Sequence, residues 1–126
     1  MSFDWINYLR LAEDLAARGD EASLRSAISR AYYFLFNVAY ARAEKNLGPK
    51  PENDQTTHKW CWNAYANCGN QAGEELAAEC ERLKWLRVQM DYYNNQRRRL
   101  DQDCARFITE VKDLSAKLSA MDEALP

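Results

Sequence analysis

Arg87 stands where an apolar residue belongs. Leu76, Cys80, Leu83 and Met90 are spaced by four, three and seven residues, and Arg87 divides the last interval into four and three. That alternation marks one stripe of a helix, the stripe that packs inward. An arginine on it must give up water, which requires a partner, a cleft or an interface. Asp91, four residues on, lies about 40° round a helix of about 100° per residue and can pair with it. Arginine before aspartate is the weaker order for such a pair, so helix stabilisation alone is a poor reason for it. Tyr92 lies about 140° from Arg87 on an ideal helix. The two converge only if the helix ends between them or a second subunit supplies one. Two readings stay open: an anion or RNA-phosphate site at a subunit cleft, with Arg87, Asp91 and Tyr92 as its candidate residues, or an ion pair that fixes the helix end.

Just beyond come Arg97, Arg98 and Arg99. Guanidinium groups suit bidentate phosphate contact, so this run is a candidate phosphate-binding segment. The competing reading is a solvated helix start facing Asp101 and Asp103. His58 is the single histidine and the only side chain whose ordinary pKa lies near neutrality. No partner for it is visible in the sequence. Cys61, Cys68, Cys80 and Cys104 contain no Cys-x-x-Cys pair, and the one histidine completes no zinc pattern. Cys61 and Cys68 sit two helical turns apart, about 10 Å, too far for a disulfide. Buried thiols acting as small apolar residues are expected, with no metal and no cofactor. Glycine-rich phosphate loops and nucleophile elbows are absent, which argues against an enzyme of a standard class.

These residues need helices to position them. The chain has 126 residues, enough for one domain with its own core, expected over 1–126. A net charge of −2 gives no global pull towards nucleic acid or anionic membrane. The first residues lack a basic segment followed by an apolar run, and the longest apolar run, 31–41, is too short to span a bilayer. A cytoplasmic protein without membrane contact is expected. Periodicity predicts helices over 2–18, 20–47, 57–65, 72–92 and 96–126, with Ser2 capping the first, Gly19 and Gly48 as stops, and a polar loop over 48–56. The last helix carries Leu100, Cys104, Phe107, Val111, Leu114, Leu118, Met121 and Leu125, alternating by four and three throughout. The second is apolar almost all round through Tyr32, Tyr33, Phe34, Phe36 and Tyr40. Such a helix is central or shared with a second subunit, and Tyr33, Phe36 and Tyr40 are the candidate dimer contacts. The expected fold is all-α: an up-down helical bundle of four long helices plus one short helix.

Three pieces of the chain, in order, resemble the HEPN domain family (higher eukaryotes and prokaryotes nucleotide-binding). Leu24-Arg25-Ser26-Ala27-Ile28-Ser29-Arg30-Ala31-Tyr32-Tyr33 is similar to the second-helix signature, preceded by Tyr8-Leu9-Arg10-Leu11-Ala12-Glu13 and Gly19-Asp20. Leu83-Lys84-Trp85-Leu86-Arg87 with Asp91-Tyr92 resembles the end of the fourth helix, with Met90 where alanine is usual, and Cys104-Ala105-Arg106-Phe107 fits the last. The resemblance implies a bundle that pairs through its long helices. Many such proteins are metal-independent ribonucleases, often toxins, in which an arginine is followed four to six residues later by a histidine and two subunits join their motifs. Here the arginine is Arg87, and Tyr92 occupies a histidine position. A tyrosine with an ordinary pKa of about 10 is a poor base at neutral pH. The resemblance therefore implies a homodimeric accessory protein of a prokaryotic defence or toxin–antitoxin type system. It would bind RNA, a nucleotide or a nucleotidyltransferase-type protein. The alternatives are a ribonuclease using Tyr92 and a purely structural dimerisation module.

Overall fold

The computed structural model describes residues 3–52, 55–94 and 99–126, and among them the regular structure is entirely helical. Five helices follow in order: α1 (Ile6–Arg18), α2 (Glu21–Leu47), α3 (Thr57–Ala66), α4 (Gln71–Tyr92) and α5 (Leu100–Ala120). The expected cap Ser2 lies outside the described residues. Instead α1 starts at Ile6, whose amide donates to Asp4 Oδ1 at 3.1 Å. It stops at Gly19, whose φ of 80° admits the left-handed turn that a side chain would resist. Asp20 then caps α2, its carboxylate accepting from the Ser23 amide at 3.0 Å. Thr56 caps α3 through Lys59 N, and Asn70 caps α4 through Gly73 N.

The 27-residue α2 packs against all four other helices. Its middle is buried on several sides, through Ala27, Ile28, Ala31, Tyr32, Leu35, Phe36 and Ala39. A two-residue connection folds α1 back along it, burying Leu9 and Ala12. From the other side α5 inserts Cys104, Phe107, Val111, Leu114 and Leu118.

Two arginines of α2 also terminate two other helices. Arg25 Nη1 donates to the carbonyls of Met90 and Tyr93 at 3.1 and 2.7 Å, closing the end of α4. Arg42 donates to the carbonyls of Leu118, Met121, Asp122 and Leu125. Asn46 adds bonds to the carbonyls of Glu123 and Leu125. These contacts explain a departure from the periodicity: the last helix ends at Ala120 and does not continue to residue 126. Met121 is still buried and Leu125 half-buried, but in a tail turned back onto α2. The guanidinium satisfies carbonyls that a longer helix would have satisfied internally.

Candidate functional site

Arg87 is the one charged side chain buried among the described residues, at 6% exposure. It reaches from α4 to α2, where its guanidinium carbon lies 5.2 Å from the ring centroids of both Tyr32 and Tyr33. Aromatic faces attract a cation, and more strongly when water is excluded. Nη1 meets Asp91 Oδ2 at 3.4 Å, and Ser29 Oγ donates to the same oxygen at 3.2 Å. Arg87 Nε is buried and finds no hydrogen-bond partner among the described residues. An orphaned donor costs about 1–3 kcal/mol, so this arrangement does not maximise stability.

His58 enters the same neighbourhood from the first turn of α3. Its ring stacks on Phe36 at 3.9 Å and lies 5.6 Å from Tyr32, nearly parallel to it. The Trp62 indole can only donate, so the Tyr32 oxygen accepts from it at 3.2 Å. The same oxygen lies 2.7 Å from His58 Nδ1, a hydrogen bond whose direction is set by the imidazole tautomer. In the tautomer with its proton on Nε2, Nδ1 accepts from the phenol and Tyr32 has a partner for its own proton. Burial, reinforced by the positive charges of Arg87 and Lys84, holds the His58 pKa down to about 4. Burial also pushes the Tyr32 hydroxyl above its ordinary value. At neutral pH the group is one buried cation beside an uncharged relay of indole, phenol and imidazole.

The structure joins only some of the residues expected to act together. Arg87 and Asp91 pair, while Tyr92 is 75% exposed and shares no hydrogen bond with Arg87. Arg97 and Arg98 lie outside the described residues, and Arg99 is exposed just before α5. Tyr33 is half-buried against Arg87, and Tyr40 is half-buried with its ring against Trp60. Phe36 is buried within its own chain against His58 and Trp62. His58, Tyr32 and Trp62 form the part of the site that sequence reasoning did not assemble. The four cysteines are free, and burial raises the pKa of Cys61, Cys80 and Cys104. Among the described residues, no three His, Cys, Asp or Glu side chains group to hold a metal ion. Also among them, no helix is long and apolar enough to cross a membrane.

Family models, curated proteins and solved structures return no match to this chain. A groove of about 630 Å³ between α4 and α5 is lined by Glu75, Glu79, Arg82, Glu110 and Asp113, and Arg87 does not line it. Arg82 bridges its walls, bonding Glu79 at 2.8 Å and Glu110 at 2.6 Å. The groove is thus separate from the buried cation and internally neutralised along that bridge.

Proposed function

We propose that this chain is a HEPN-like accessory or partner protein that acts as a homodimer in a prokaryotic defence or toxin–antitoxin type system. Its task is binding, of RNA, a nucleotide or a nucleotidyltransferase-type protein, and not catalysis. The observation that carries this reading is the state of Arg87: buried, held by Asp91 and two tyrosines, next to a histidine kept neutral. A general base works best with a pKa near the working pH, and His58 at about 4 is a weak one. Tyr92 points to the same conclusion, being exposed and separate from the buried cation. A buried charge retained at a cost in stability suits a device that positions neighbouring groups.

A second reading, a metal-independent endoribonuclease, draws on one observation. The histidine missing after Arg87 in sequence is supplied nearby by α3, since Arg87 and His58 both border the Tyr32 ring. One experiment separates the two. Purified protein is incubated with a broad pool of single-stranded RNA in EDTA, and the RNA is resolved on a denaturing gel. Intact RNA is expected. Cleavage that disappears in His58→Ala would replace the accessory reading with the enzymatic one.

A further inference from the structure

The outer face of α4 is aromatic where a solvated helix is ordinarily polar. Trp85 is 61% exposed and Tyr92 75% exposed. At about 100° per residue these two lie about 20° apart, with Val88 and Gln89 between them on the same face. That face is directly opposite the stripe of Leu76, Cys80, Leu83, Arg87 and Met90 that packs into the chain. Large aromatics placed together in water mark an interaction surface, and tryptophan and tyrosine dominate the energetics of such surfaces.

We infer that this face is occupied by the α4 of a second copy, antiparallel, about a two-fold axis passing between Val88 and Gln89. The inference rests on the homodimer reading and specifies its interface. The residue spacing is self-complementary under that operation: Trp85 of one copy falls opposite Tyr92 of the other, twice. The charges agree as well. Lys84 and Asp91 flank the face on one side, seven residues apart, so both lie on the same edge. In an antiparallel pair with that axis, equal edges face each other. Lys84 of one copy then stands within about 3 Å, along the helix axis, of the level of Asp91 in the other. A parallel pair would turn this edge towards the opposite edge of the second copy, and Lys84 and Asp91 would not meet.

The buried site prepares one half of this contact. Asp91 is held by Arg87 at 3.4 Å and by Ser29 at 3.2 Å, so its carboxylate is already oriented at the edge of the face. Among the described residues the ion pair of Lys84 is a loose one, to Glu81 at 3.9 Å. Arg87 is on this view a positioning residue: it orients the acid that the second copy's lysine meets.

The test compares the mass of the full chain in solution, by light scattering after size exclusion, with that of Trp85→Arg and Tyr92→Arg. Both positions are exposed, so folding is retained and is checked by circular dichroism. The expected result is a dimer for the parent and monomers for both variants. In a Cys68→Ser background, Gln89→Cys cross-links two chains under mild oxidation, whereas Gln102→Cys on the outer side of α5 does not. A dimer that survives either arginine variant, or a Gln89→Cys protein that fails to cross-link, overturns this interface and leaves the homodimer reading standing. A parent protein that stays monomeric at every concentration overturns both.

Discussion

The Tyr32 hydroxyl meets His58 Nδ1 at 2.7 Å, and this bond couples α2 to α3 beside the buried cation of α4. Tyr32 also accepts from Trp62, and burial with the charges of Arg87 and Lys84 keeps the imidazole neutral. The site is therefore sensitive to any change that charges His58 or removes the hydroxyl.

Acid should weaken the fold through this histidine. Its pKa is about 4 in the folded chain, against an ordinary 6.5. Between those values the unfolded chain binds the extra proton, so stability is full above 6.5 and falls as the pH drops towards 4. After allowance for partial exposure, the loss between pH 7.5 and 4.5 is about 2 kcal/mol. Urea titrations of the parent and of His58→Gln at both values measure it. The parent should lose that much more than the variant; equal losses would remove His58 from the account.

Asp91→Asn should be more damaging than its partial exposure suggests. It leaves the Arg87 cation buried without its carboxylate, and the expected cost is about 2 kcal/mol. Arg87→Met removes the cation and keeps an unbranched apolar side chain between Tyr32 and Tyr33, so it should cost less, about 1 kcal/mol. Denaturant midpoints of the two variants decide the order. The reverse order would show that the pairing with Asp91 is energetically idle.

Removing Arg42 should release the tail. Arg42→Ala deletes the donor to four carbonyls beyond the start of the last turn of α5, at an expected cost of about 2 kcal/mol. Carboxypeptidase digestion followed by mass spectrometry should then trim residues 121–126 faster than in the parent. Unchanged trimming would mean that Asn46 alone holds the tail.

Gly73→Ala tests the packing of α4 on α3. A Cβ there would lie 2.5 Å from Cys68 Sγ and 3.0 Å from the Tyr65 carbonyl oxygen. The thiol can turn but the backbone oxygen cannot, so the usual helical advantage of alanine is reversed. A loss of about 1–3 kcal/mol is expected in thermal or urea unfolding. A gain in stability would show that α4 shifts freely on α3.

Much of the helical plan is visible in local spacing. The stops at Gly19 and Gly48 are read directly from residue type, because they serve backbone groups within a few residues. The seam through Leu100, Cys104, Phe107, Val111, Leu114 and Leu118 is likewise local and is buried as spaced. Met121 and Leu125 keep the same spacing and yet leave the helix, because Arg42, far away in sequence, takes their carbonyls. The aromatic face of α4 was equally open to view. Trp85 and Tyr92 stand seven residues apart, opposite the inward stripe, a spacing that local periodicity alone defines.

By itself, then, the sequence determined the five helices apart from the end of the last, the inward stripe of that last helix, and that Arg87 interrupts the stripe of α4. Helical hydrogen bonds and side-chain periodicity span only a few residues, so these features are written in short stretches of chain. The tertiary structure alone decided what meets that arginine. Tyr32 and Tyr33 come from α2, and the neighbouring His58 from α3, residues separated by tens of positions and joined only when the helices pack. Burial in that packing is also what keeps His58 uncharged, a property of its surroundings and not of its place in the chain.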